Sequence, residues 1–325
     1  MLQFLLSTLI IVDAGPACRA IALEGGGSHG AYEAGVVWAL VNLTAPGETS
    51  WNIISGISAG ALNTAAMIQF PFGQELPMSN FLLNMWKSVN GSSDFYVEWP
   101  GGLVAGLLFH QGIYDYSPIN KYLRTHLPYG VQRNFSVGAT NLDTGLFSTF
   151  NESIGAAYID AIISSSSPPL FFAPHEMMGY SFADGGCIVN LDVFSAIERC
   201  LEQTEEENIF VDMIFDNPYA NLGNDTKFTT LEVFSRIYSI SQYDSSVWFT
   251  YNAKVAFPRA NYRYVIKPSE AMPGGVVPLN FTPSNLDYEI QMGINDTIKF
   301  INKQLKGSYI IDELYQASQA RLVFP

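Results

Sequence analysis

The chain has 325 residues, 48% of them hydrophobic, with 16 basic against 30 acidic side chains and a formal net charge of -14. That length and apolar content suffice for one large core, and no linker-like shift in composition divides it in two. The acidic balance argues against nucleic acid as a partner and against electrostatic docking on anionic membranes.

Met1 to Val12 form an apolar run, stopped by Asp13 and followed by the small residues Ala14 to Ala17. The run is too short to span a bilayer but suits the hydrophobic region of a signal peptide, so residues 1–17 read as a leader and 18–325 as the domain. It lacks a basic start, and a buried first strand or a truncated start is the alternative. N-x-S/T acceptors occur at Asn42, Asn90, Asn134, Asn151, Asn224, Asn280 and Asn295. Chance gives roughly three, so the excess supports a glycoprotein on the secretory route, secreted or endolysosomal. Cys18, Cys187 and Cys200 allow at most one intrachain bridge; Cys187 with Cys200 is the expected pair, leaving one thiol. No cysteine pair has metal-ligand spacing with histidine, so no zinc site is expected, and the chemistry read below calls for no metal or organic cofactor.

Cys18 to Leu23 reads as a buried strand that enters a glycine-rich turn, Gly25 to Gly30, and then a helix-like run, Ala31 to Leu43. The pattern repeats: an apolar strand at Trp51 to Ile54, the turn Gly56-Ile57-Ser58-Ala59-Gly60, and a small-residue helix from Ala59 to Gln69. Two successive strand-turn-helix units predict a mainly parallel sheet with helices on its faces. The first turn has the G-x-G-x-x-G spacing of a dinucleotide site, but no acid ends the next strand, and no Gly-Lys-Ser/Thr follows for a P-loop. It remains an anion nest. The second turn has the spacing of a nucleophile elbow, with Ser58 at its tip. A nucleophilic serine facing a nest of N–H donors is equipment for acyl transfer, the anion being the oxyanion of a tetrahedral intermediate.

Such a serine needs a base. Histidines stand only at 29, 110, 126 and 175, so the order serine, acid, late histidine is ruled out. His29, a mid-chain histidine or a carboxylate remains. The best carboxylate is Asp184, at the end of a short strand and followed by Gly185 and Gly186; its bland reading is a plain Asp-Gly turn. Further along, Gly101 to Phe109 is apolar without interruption and reads as a buried segment, with an interfacial lid or acyl channel as the alternative. Pro168 to Phe172 is a candidate pocket wall. Asn208 to Phe215 and Tyr262 to Ile266 read as strands; Leu231 to Phe249, Asp287 to Lys303 and Ile310 to Leu322 read as helices.

These residues together resemble the patatin-like phospholipase family, whose members combine a glycine-rich oxyanion loop, a G-x-S-x-G elbow and an Asp-Gly-Gly or Asp-Gly-Ala motif. The likeness extends through Ala59 to Asn63, Ala139 to Gly145 and Ile163 to Pro168, and covers roughly residues 18–200. It implies a three-layer α/β fold and a lipid acyl hydrolase with a Ser-Asp dyad: Ser58 as nucleophile and Asp184 as base. The oxyanion hole would come from Gly25, Gly26, Gly27 and Ala59, and Gly30, Gly56, Gly60, Gly185 and Gly186 would shape the motifs. It also implies a lipid or phospholipid substrate and transient contact with a lipid surface. Three positions depart from the family pattern. Glu24 replaces a usual Asp, and Asn190-Leu191-Asp192 replaces a usual proline. His29 replaces a frequent arginine, which favours work in an acidic compartment. The rival readings are a non-catalytic lipid-binding or storage glycoprotein and a nucleotide-binding enzyme.

Overall fold

The structure is a computed structural model; it describes residues 16–127, 129–217, 228–272 and 278–320. The amino-terminal apolar run and the acceptor Asn224 lie outside the described residues. In chain order the chain forms β1 (Cys18–Leu23), α1 (Gly30–Leu43), β2 (Ile53–Gly56), α2 (Ala59–Met67), α3 (Glu75–Lys87), β3 (Val97–Glu98), α4 (Gly102–Phe109), β4 (Tyr114–Asp115) and α5 (Ser117–His126). There follow β5 (Asn134–Asn141), β6 (Phe147–Phe150), α6 (Tyr158–Ser165), β7 (His175–Met177), β8 (Tyr180–Asp184) and α7 (Val193–Leu201). The last five elements are β9 (Ile209–Ile214), α8 (Thr230–Ala256), β10 (Asn261–Ile266), α9 (Pro283–Asn302) and α10 (Gly307–Gln319).

The main sheet runs β10-β9-β1-β2-β5-β8-β7, with β6 also on β5. The pairs from β10 to β5 are parallel, and β6, β8 and β7 join antiparallel. In β1, consecutive residues Ala20, Ile21, Ala22 and Leu23 are all fully buried. Successive strand side chains point to opposite faces, so helices must cover both. α2 packs on β1 and β2, α1 packs with α9 and α3, and α7 lies over β1, β2 and β9. This is the three-layer α/β architecture expected. From β1 the chain first extends the sheet through β2 to β5, and later returns to add β9 on the other side of β1. Crevices form at the carboxyl ends of strands where strand order reverses in this way.

Two expectations need correction. The disulfide joins Cys18 to Cys200, with Cα atoms 5.6 Å apart, while Cys187 is free and exposed. α7 starts near the carboxyl end of the sheet, where Cys187 lies, and runs back about 13 Å to the foot of β1; that travel separates Cys200 from Cys187 and delivers it to Cys18. Second, 101–109 is not buried. α4 stands on a two-stranded ribbon, Val97↔Asp115 and Glu98↔Tyr114, and only Gly106 among its residues is buried.

Candidate active site

β2 ends in Gly56, and the chain turns into α2 through Ser58, whose φ of 52° and ψ of -114° are strained for a residue with a side chain. The surroundings enforce that turn. Ile57 N donates to Leu23 O at 3.2 Å and Gly60 N to Glu24 O at 3.0 Å, pinning the elbow to the end of β1. A Cβ on Gly60 would lie 2.4 Å from Leu23 O, so only glycine lets α2 sit this close. Ser58 N donates to Ser165 Oγ at 3.0 Å. The serine side chain is thereby pushed toward the cleft.

Asp184 ends β8, opposite Ala139 of β5. Its N–H donates to Ser167 O, and its carbonyl accepts from Thr140 Oγ1 at 2.9 Å. Oδ1 accepts from Gly186 N at 2.8 Å, which is the contribution of the Asp-Gly-Gly turn. Oδ2 is buried and has no hydrogen-bond partner among the described residues. The Ser58 side chain lies close enough to this carboxyl to favour its ionised form, and contacts of this kind tighten when substrate binds. Burial pushes the Asp184 pKa up to about 7 against the smaller, opposing effects of Ser58 and Gly186 N. A carboxylate so raised is a competent base at neutral pH.

The loop after β1 supplies the third component. Among the described residues the amides of Gly26, Gly27 and Ala59 have no acceptor, whereas Gly25 N donates to Asn190 O at 3.0 Å. The Gly25 amide is thus already engaged, and the residue leaves room beside the Ser58 Cβ. Gly27 has φ +60°, and a Cβ there would meet Pro278 O at 2.0 Å. Pro278 O also accepts from Ser28 N at 2.8 Å and so fixes the loop's far side. Gly30 opens α1 against Trp86, and Gly56, Gly185 and Gly186 stand at close backbone or side-chain approaches around the elbow and the Asp184 turn.

Glu24 is wholly buried beneath this loop. Oε2 accepts from Asp216 N at 2.6 Å and Asn217 N at 2.9 Å, and Oε1 from Ser246 Oγ at 2.5 Å, tying the ends of β1 and β9 and the middle of α8 together. Burial outweighs these bonds and raises its pKa to about 7. Asp216 Oδ1 occupies the space a Cβ on Gly26 would need, at 2.3 Å, and its pKa is pushed well above the usual carboxylate range, first by burial and then by Glu33 and Glu24. His29 Nδ1 contacts Glu289 Oε1 at 3.1 Å.

These pieces converge on one cleft of about 940 Å³, its open mouth included. Gly26, Gly27, His29, Ser58 and Asp184 line it, with Pro168, Phe171, Met272 and Leu279 as an apolar wall. A smaller cavity between α2, α3 and α5, lined by Leu62, Trp86, Phe95 and Tyr122, holds no nucleophile. Among the described residues no group of three or more His, Cys, Asp or Glu side chains is arranged to hold a metal ion.

The profile of the patatin-like phospholipases matches residues 21–197, more than half of the chain. The chain belongs to the patatin-like phospholipase family. Membership supports hydrolysis of lipid esters as its activity. Among solved structures, VipD from Legionella pneumophila is 13% identical with a TM-score of 0.41, over 89% of this chain and 67% of that one. The type III effector protein ExoU is 13% identical with a TM-score of 0.33, over 94% of this chain and 54% of that one. No curated protein matches the sequence significantly.

Within this patatin-like chain, several supporting residues escaped the sequence. Asn190, just after the Asp-Gly-Gly turn, holds the oxyanion loop: Nδ2 donates to Gly25 O at 2.9 Å, and Oδ1 accepts from Gln242 Nε2 at 3.1 Å. Ser165 and Gln242 approach from α6 and α8, 107 residues after Ser58 in the first case. The Ile163 to Pro168 stretch marked the neighbourhood of Ser165; nothing in the sequence marked Gln242.

Proposed function

We propose that the chain is a lipid acyl hydrolase, of phospholipase A or lipase type, cleaving carboxylic esters of glycerolipids through an acyl-serine intermediate. Ser58 Oγ attacks the ester carbonyl while its proton passes to Asp184 Oδ2. The amides of Gly26, Gly27 and Ala59 receive the oxyanion. Collapse of the tetrahedral intermediate breaks the ester C–O bond, and the leaving alcohol takes the proton from Asp184. Water then attacks the acyl-serine, giving its proton to Asp184, which returns it to Ser58 as the fatty acid leaves. The apolar wall of Pro168, Phe171 and Leu279 suits the acyl chain.

The observation that carries this reading is the buried, unpartnered Oδ2 of Asp184 beside a strained serine. A buried polar atom left unpaired costs about 1–3 kcal/mol, and a waiting proton-transfer partner accounts for it. The test is release of fatty acid from phospholipid and neutral glyceride by purified wild type, Ser58→Ala and Asp184→Asn. Loss in both folded variants is expected; substantial turnover by either would overturn the dyad. The secretory location is part of the proposal. The Cys18–Cys200 bridge suits an oxidising compartment, and the acceptors Asn42, Asn90 and Asn295 are exposed. A glycosidase-sensitive mass shift on secreted protein would support it; retention of an unprocessed chain in the cytosol would refute it.

A further inference from the structure

We propose that α4 and the amino-terminal turns of α8 form a docking surface for a zwitterionic lipid bilayer, which places the catalytic cleft at the membrane. This inference rests on the lipid hydrolase reading for its purpose, while its evidence is separate. In α4, Leu103, Val104, Leu107, Leu108 and Phe109 are exposed, Leu108 at 69% and Phe109 at 79%. An eight-residue helix without a polar side chain, lying on the outside, is a contiguous apolar patch of the kind that marks an interaction site.

The patch is firmly presented. Its base is the β3–β4 ribbon. Trp99 and His110, which bracket the helix, stack at 3.8 Å between ring centroids, and Trp99 Nε1 donates to Gly112 O at 3.0 Å. The underside rests on Ile113, against whose backbone Gly106 fits without room for a Cβ. Ile113 packs with Phe171 and Phe172, and Phe171 lines the catalytic cleft. The α4 surface is thus one side chain removed from the acyl-binding wall.

α8 completes the rim. Leu231 packs on the same Ile113–Phe171–Phe172 cluster. Ser235, Tyr238 and Ser239 face the cleft, while Val233, Phe234 and Ile237 beside them are exposed, Ile237 at 63%. The first turn of this helix is fixed by a capping box between Thr229 and Glu232. Two apolar patches therefore flank the entrance to one cleft.

Charge selects the occupant. Residues 99–113 contain no Lys, Arg, Asp or Glu, and the chain carries a net charge of -14. Glu98 and Asp115 stand at the foot of the patch. On the described first turns of α8 a single cation, Arg236, stands with Glu232 beside the exposed Val233, Phe234 and Ile237. An anionic bilayer would therefore meet the chain's negative charge without a basic cluster on the described surface to offset it. A zwitterionic surface presents no such penalty, and binding to it is driven by insertion of the apolar side chains.

The test uses the double variant Leu108→Ser/Phe109→Ser, at the two most exposed α4 positions. Cosedimentation with phosphatidylcholine vesicles is measured for wild type, the double variant and Ser58→Ala. Each side chain of this size is worth about one to two orders of magnitude in transfer from water, so vesicle partitioning of the double variant should fall at least about tenfold. Ser58→Ala should bind as wild type does, so vesicle binding is read independently of turnover. Hydrolysis of a soluble short-chain ester by the double variant should stay within about twofold of wild type, because it leaves the cleft intact. Unchanged vesicle binding by the double variant would overturn the proposal. So would wild-type binding confined to anionic phosphatidylglycerol vesicles, or a wild-type dimer in solution that the double variant dissolves, which would identify a second copy as the occupant.

Discussion

Asp184→Asn should stabilise the protein at alkaline pH while removing its activity. Folding raises the Asp184 pKa from 3.8 to about 7, because burial outweighs the favourable contacts from Ser58 and Gly186 N. The folded state therefore holds the proton more tightly than the unfolded chain does. Well below pH 4, under both pKa values, both states are protonated and ionisation costs nothing. As pH rises through the window from about 4 to about 7, the unfolded chain ionises first, and the folded protein loses stability progressively. At about 1.4 kcal/mol per unit, the full loss approaches ~4 kcal/mol above pH 7, an upper bound that relaxation of the site would reduce. Asparagine cannot ionise, keeps an acceptor for Gly186 N and puts an amide where Oδ2 stands. Glu24, also raised to about 7, titrates in both proteins and cancels in the difference. Urea unfolding of the oxidised proteins across this range should give near-equal stability at pH 4 and a variant advantage growing to about 2–4 kcal/mol at pH 8. A constant difference between the two across the range would refute the reasoning.

The same titration governs turnover: kcat/KM should rise about tenfold per pH unit toward a plateau above pH 7, leaving about 1% of the plateau at pH 5. This opposes the acidic optimum expected from His29, and a maximum near pH 5 would show that another group limits the reaction. Asn190→Ala removes the side-chain bonds to Gly25 O and Gln242. It should cost about 1–3 kcal/mol of stability and lower kcat more than it raises KM; an unchanged kcat would detach Asn190 from the oxyanion loop. Cys200→Ser opens a loop of 182 residues and should cost about 2–5 kcal/mol. Adding reductant to wild type should reproduce that loss, and unaltered unfolding in reductant would show that the bridge does not form.

The elements that carry the motifs were legible because each pairs a fully buried strand with a glycine-rich stop. β1 runs from Cys18 to Leu23 as read, and the elbow opens α2 at Ala59 as read. Asp184 could be placed because two glycines follow a short strand. The apolar stretch 101–109 misled because hydrophobicity alone does not distinguish a core helix from an exposed one. What decides is the β3–β4 ribbon that carries it outward, and two-residue strands leave no sequence signal. The disulfide depended on α7 reversing along the sheet, a tertiary fact. The support around the site was hidden for the same reason. Ser165, Asn190 and Gln242 reach the site from separate elements, and a hydrogen bond across 107 residues, as between Ser58 and Ser165, leaves no local pattern.

The central claim is that Ser58 is an activated nucleophile with Asp184 as its base. A fluorophosphonate probe, which forms a covalent adduct only with an activated serine, followed by peptide mapping, tests it most directly. Wild type should carry the label on Ser58, while Ser58→Ala should carry none and Asp184→Asn should label far more slowly. Absence of label on a demonstrably folded wild type, or label on a serine other than Ser58, would contradict the account.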